Sequence, residues 1–164
     1  MKQLYIKQKV FSIGEKFTIK NQDEKDVYTV EGSFMKIPKT FTIMNGLGEE
    51  VALITKKVFS LLPKFFVEMN GREVLTITKE LSFFKARYHI EAEGIEVHGN
   101  WWDMNFDVLR HGELVGKVSK EWFTWGDSYK VDIMDEKMET MVIALVVAID
   151  CVKSDAAASS PGAF

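Results

Sequence analysis

The sequence predicts a mainly β protein, a closed antiparallel barrel of about twelve strands enclosing a hydrophobic C-terminal α-helix. Three observations carry that prediction. Short runs with a two-residue apolar/polar period recur along most of the chain, Asn-Gly and His-Gly dipeptides punctuate them, and Met141 to Ile149 is an unbroken apolar run of nine residues. A segment apolar on every side must be surrounded by protein. At nine residues it falls short of the roughly 17 to 25 that span a bilayer, so the host is the protein's own interior.

Taken in order, Phe17 and Ile19 alternate with Lys16, Thr18 and Lys20 before Asn21-Gln22-Asp23 breaks the run. Phe41 and Ile43 alternate ahead of Asn45-Gly46, and Asn70-Gly71 joins Phe65–Met69 to Arg72–Leu75 as a tight hairpin with both central residues at positive φ. His111-Gly112 marks a second such hairpin, and Tyr129, Val131 and Ile133 form the last alternating set. The expected strands lie near 8–13, 16–21, 26–33, 40–45, 50–58, 64–69, 72–79, 84–91, 95–99, 105–110, 113–120 and 128–133. Closing them into a barrel removes exposed edges.

A weak internal repeat runs through the series. Gly48, Gly71 and Gly112 each stand eight residues before a lysine (Lys56, Lys79 and Lys120) that follows Thr or Ser. Such a recurrence fits either a rosette of ligand-binding lysines or a set of solvated strand exits. From Met138 to Val152 the pattern turns helical, with Glu136 and Glu139 near the start and Lys153 at the end, as the helix dipole favours. Ala144 and Ala148 offer one thin side for a close neighbour. Residues 1–153 then make one domain, and the Ala-, Ser- and Gly-rich 154–164 reads as a flexible tail.

At 164 residues, 46% hydrophobic and 27% charged, the chain can bury a core without disulfides or metals. Its net charge of −3 argues against a nucleic-acid binder, though the charge is uneven: +5 over residues 1–90 and −8 over 91–164. The one cysteine, Cys151, adjoins the apolar run and is expected to be a buried, inert thiol. Met1 to Phe11 lacks the continuous apolar stretch of a secretory signal, so cytoplasmic residence is the default expectation.

Catalytic signatures are missing from the chain: no Gly-x-Ser-x-Gly elbow, no Gly-rich phosphate loop and no His-Glu-x-x-His helix. His89, His98 and His111 lie on different strands without a second ligand at metal spacing, and no calcium-loop pattern occurs. The expectation is therefore a non-enzymatic protein with no cofactor and no metal. All four tryptophans fall between Trp101 and Trp125, where they serve either as core and rim packing or as an interfacial patch. Lys36, Lys39, Lys56, Lys64, Lys85 and Arg87 sit in or beside probable loops among aromatics and proline. Gathered at one barrel end, they are the candidate surface for an anionic headgroup.

Several segments in order resemble a known family. They are Leu4-Tyr5-Ile6-Lys7-Gln8-Lys9 with Phe11-Ser12-Ile13-Gly14-Glu15-Lys16-Phe17, Asp103-x-x-Phe106-x-Val108, Asp127-Ser128-Tyr129-x-Val131 and Ala144-Leu145-Val146-Val147-Ala148-Ile149-Asp150. Together they are similar to the LURP-one-related (LOR) family over about residues 2 to 153. The resemblance implies a Tubby-like fold, twelve antiparallel strands around a hydrophobic C-terminal helix, with phospholipid scramblases as distant relatives. It carries over no catalytic residues. The calcium motif and cysteine-rich segment of scramblases have no counterpart here. The expectation is a binding module that recognises an anionic phospholipid headgroup or a protein partner at one rim, in peripheral contact with a membrane at most. An enzyme or small-ligand protein working in a groove between strands is the alternative.

Overall fold

Alternation along the chain becomes one continuous sheet. The computed structural model describes residues 1–7, 16–33, 38–57, 62–80, 87–123 and 126–159. Among them the strands are β1 Lys2–Lys7, β2 Lys16–Asn21, β3 Asp26–Gly32, β4 Thr40–Asn45, β5 Glu50–Lys57 and β6 Lys64–Met69. The series continues with β7 Arg72–Glu80, β8 Arg87–Ala92, β9 Ile95–Asn100, β10 Asn105–Arg110, β11 Glu113–Phe123 and β12 Gly126–Ile133. A 3-10 turn, Glu136–Met138, leads into helix α1, Glu139–Ser159.

Every pairing is antiparallel, and β1 pairs with β12, so the chain curls into a nearly closed twelve-stranded barrel. The two strands at the ends of the sheet are β8 and β9. Both hairpins take the expected form: φ is +53° at Asn70 and +73° at Gly71, and +49° at His111 and +84° at Gly112. Their twist matches that of the flanking strands, which fixes register.

Two expectations need correction. The first described strand is Lys2–Lys7, begun by the inward alternation of Leu4 and Ile6 ahead of any expected strand; the strand expected near 8–13 falls on residues 8–15, which lie outside those described. The helix does not stop at Lys153 but runs on to Ser159, so residues 154–159 are helical rather than a loose tail; 160–164 lie outside the described residues. Ala156 to Ala158 supply the strongest helix-forming side chain, and Asp155 is held by Lys56 at 2.5 Å.

Alternate residues of the wall point inward and are buried, as at Leu4, Ile19, Val30, Ile43, Ile54, Val67, Ile77, Val108, Val118 and Val131. Against them lies α1, whose residues Val142 to Ile149 are at most 1% exposed. The helix lies along the barrel axis, with every residue from Val142 to Val152 buried. Each fully buried Val, Leu or Ile contributes roughly 1.5 to 3 kcal/mol, which offsets the weak helix preference of the β-branched residues. The helix is also pinned at both ends. Glu139 accepts from Lys2 Nζ at 2.9 and 3.0 Å and from Tyr28 Oη at 2.8 Å, while Asp155 takes Lys56 at the far end. No helix among the described residues is long and apolar enough to cross a membrane.

Helix and wall approach closely at Gly116 of β11. A Cβ placed there would lie 2.9 Å from Val142 Cγ1 and 3.1 Å from Cγ2, and Val142 is fully buried. Gly116→Ala is expected to destabilise by about 2 kcal/mol through overpacking. Val142→Ala removes the clashing methyls, so the double variant should lose less than the sum of the two single losses. Urea midpoints of the four proteins check this; strict additivity would show that helix and wall do not meet there.

Candidate functional site: the basic mouth of the barrel

Antiparallel order gives the barrel two unlike ends. Tight turns at 22–25, 46–49, 70–71, 93–94 and 111–112 and the entry to α1 occupy one; those turns and the entry carry Asp23, Glu24, Glu49, Glu93, Asp135 and Glu136 against Lys25 and Lys137. At the other end β1, β3, β5, β7, β9 and β11 run out, β2, β4, β6, β8, β10 and β12 begin, and the last turns of α1 emerge. This second end, the mouth, is basic.

Strand parity decides which lysines face the axis. Lys39 precedes β4 on the same side as Phe41 and Ile43, and its carbonyl accepts from the Lys56 amide at 2.9 Å. Lys56 shares the side of Ala52 and Ile54, Lys79 that of Leu75 and Ile77, and Lys120 that of Val118. Lys79 is paired with Tyr88 across β7 and β8. These four lysines ring the end of the helix, where Asp150, Cys151, Lys153 and Asp155 lie. Lys39 acts electrostatically on Cys151, and Lys120 and Asp103 act on Lys153.

Lys64 is different. It shares the outer side of β6 with Phe66, whose ring lies 5.2 Å from Lys64 Nζ and 5.8 Å from Lys57 Nζ. Of the sequence-predicted set, then, Lys39 and Lys56 line the mouth and Lys64 flanks it outside. Arg87 enters by its backbone as the first residue of β8, also at this end, whereas Lys36 and Lys85 lie outside the described residues. The predicted set omitted Lys79 and Lys120. The eight-residue glycine-to-lysine repeat held the signal, because it measures a strand from tight turn to mouth: Gly48 to Lys56 along β5, Gly71 to Lys79 along β7, Gly112 to Lys120 along β11.

Burial sets the protonation of the groups beneath the ring. Asp150 is 5% exposed, and its carboxylate accepts a hydrogen bond from Tyr129 Oη at 3.3 Å. Loss of water pushes its carboxyl up to about 6, against the pull of Lys153 and the Tyr129 bond. The Cys151 thiol is pushed up by burial and by the charge of Asp150, which makes it a poor nucleophile. Burial likewise lowers the Lys153 ammonium.

Aromatic residues flank the mouth at the sheet's open side. Tyr88 stacks on Trp102 with ring centroids 5.3 Å apart, and Trp101 meets both edge-on at 6.3 and 5.6 Å. Trp101 packs against the core while Trp102 is exposed, so the two take different roles. The side chain of Trp122 and the whole of Trp125 lie outside the described residues. A shallow groove on the outer wall, lined by Lys16, Asp26, Thr29, Glu31, Met44 and Asn45, is a weaker candidate. Its charges are already satisfied, Lys16 by Glu31 at 2.7 Å and Asp26 by Lys20 at 2.6 Å. Among the described residues no cluster of His, Cys, Asp and Glu could hold a metal ion.

Comparison with known proteins agrees with this architecture. A crystal structure of the protein AT5G01750 from Arabidopsis thaliana superposes with a TM-score of 0.58 at 11% identity, covering 91% of each chain, which shows a shared fold. The Bacillus subtilis (strain 168) protein named "Uncharacterized protein YxjI" is 31% identical over 152 residues, 93% of this chain and 94% of its own. The family pattern described as LURP-one-related matches residues 2–150, the whole barrel and the apolar part of the helix, and the chain belongs to the LURP-one-related family.

Proposed function

We propose that this protein is a non-enzymatic binding module whose basic mouth receives an anionic, phosphate-bearing lipid headgroup at a membrane surface. The observation that supports this reading is the convergence of Lys39, Lys56, Lys79 and Lys120 on one end of the barrel, flanked by Lys64 and by Trp102, while the opposite end is rich in carboxylates. A molecule so polarised turns its basic end toward an anionic surface. Tryptophan beside lysine suits the boundary between headgroups and acyl chains. Lys56 also holds Asp155 on the helix, so stability and binding have to be measured together.

The test is flotation with phosphatidylcholine vesicles, with and without phosphatidylserine or a phosphoinositide, over a range of salt. Each lysine near an anionic surface contributes about 1 kcal/mol. Lys39→Gln, Lys79→Gln and Lys120→Gln combined should therefore weaken binding to anionic vesicles by about a hundredfold, with the melting temperature recorded alongside. Salt should have a like effect on the parent protein. Binding a soluble inositol phosphate but no vesicle would assign the site to a free phosphate ester. Equal flotation with neutral and anionic vesicles, or none at low salt, would overturn the proposal in favour of a protein partner or a small-ligand groove.

A further inference from the structure

Strands β8 and β9 are consecutive and joined by the two-residue turn Glu93-Gly94, yet no ladder connects them; each is paired only on its other side, β8 with β7 and β9 with β10. A two-residue turn ordinarily imposes a hydrogen-bonded hairpin. Here the turn instead leans on the next hairpin, with the His111 amide donating to the Gly94 carbonyl at 3.0 Å. The barrel is thus slit lengthwise between two strand edges whose backbone groups face one another unbonded.

The floor of the slit is apolar and incompletely covered. Ile90 and Ala92 of β8 and Ile95 and Val97 of β9 point to the axis but are only half-buried. Inward residues one strand away, Leu75 and Ile77 on β7 and Phe106 and Val108 on β10, are at most 3% exposed. The turn closes the slit at one end, and Tyr88 with Trp101 closes it at the mouth. Its outer lips carry carboxylates: Glu91 beside His89 on β8, Glu93 in the turn, and Glu96 beside His98 on β9, with the Glu91 and Glu96 side chains 70% and 61% exposed.

We propose that the β8/β9 slit is a docking site for an extended peptide segment of a partner protein, alternating apolar residues with lysine or arginine, which pairs as a strand with the open edge of the sheet. Its backbone satisfies the unbonded edge groups, its apolar side chains cover Ile90, Ala92, Ile95 and Val97, and its cations meet Glu91, Glu93 and Glu96 outside. A second copy of this chain presents the same glutamates and is repelled. This site lies on the side wall and does not depend on lipid binding at the mouth.

The probe is the capped peptide Val-Lys-Val-Lys-Val-Lys-Val, titrated by tryptophan fluorescence and mapped by amide hydrogen exchange on the full chain. The expected result is saturable binding with new protection confined to residues 88–92 and 95–99. N-methylation of alternate peptide amides should abolish it. Glu91→Lys with Glu96→Lys, both on the exposed lips, should weaken binding by about tenfold or more, equivalent to about 1.4 kcal/mol. The same variant should gain affinity for Val-Glu-Val-Glu-Val-Glu-Val. No binding, protection elsewhere, binding that survives N-methylation, or a slit protected by self-association at rising protein concentration would each overturn the proposal.

Discussion

Ala148→Asp is expected to leave no folded protein. Ala148 has no exposure at all, on a helix whose residues from Val142 to Ile149 are enclosed by the wall. An unpaired carboxylate there must either ionise in an apolar medium or take up a proton and remain short of hydrogen-bond partners. Either course costs several kcal/mol, comparable with the roughly 5 to 15 kcal/mol that holds a domain together. Leu47→Asp is the matched control, since Leu47 is 84% exposed in the β4–β5 turn, and a change there should stay within about 0.5 kcal/mol. Soluble expression and thermal melts of the two variants decide it. A cooperative melt of Ala148→Asp near the parent temperature would mean that this helix face is not enclosed.

The same enclosure explains which features the sequence discloses. In a barrel with a filled axis every strand has one apolar face, so the alternation at Phe17/Ile19 or Phe41/Ile43 is strong, and the Asn-Gly and His-Gly turns mark where it reverses. The first strand is hard to place because only Leu4 and Ile6 alternate before the polar run Lys7-Gln8-Lys9, too short a pattern to stand out. Helix length is only partly legible in the sequence because Lys153 reads as a terminal charge. The alanines after it extend the helix by propensity, not by burying a large side chain.

Pairing is where local pattern stops informing. A period of two says that Ile90 and Val97 sit on strands; it does not say that β8 and β9, neighbours in sequence, remain apart. The mouth shows the same limit. Lys56 and Lys57 are adjacent and chemically equal, but one faces the helix and the other the outer side of Phe66, a distinction that needs register. The glycine-to-lysine repeat was the exception, because it records strand length and so parity along with position.

Asp150→Asn is expected to change the pH dependence of stability in one direction. The Asp150 carboxyl titrates near 6 in the folded protein, raised first by burial, and at the ordinary 3.8 when exposed. Between those values the folded state holds a proton that the unfolded state has released, so stability falls as pH rises through that window. The full stabilisation is present below about pH 4 and gone above about pH 6. At about 1.4 kcal/mol per unit the loss approaches 3 kcal/mol, an order-of-magnitude figure. Asparagine can still accept from Tyr129 Oη, now at 3.3 Å from the carboxylate, but carries no charge to bury. The variant should therefore gain on the parent steadily from pH 4 to pH 6 and hold a constant lead above it. Melting temperatures of both proteins across that range provide the measurement, and a difference that stays flat with pH would show that Asp150 is not the proton-binding group. A chain that keeps a destabilising carboxylate under a ring of lysines has placed a charge that neutral pH maintains and mild acid removes. Protonation would make the mouth more positive, so vesicle binding should strengthen as pH drops toward 5 in the parent and not in Asp150→Asn.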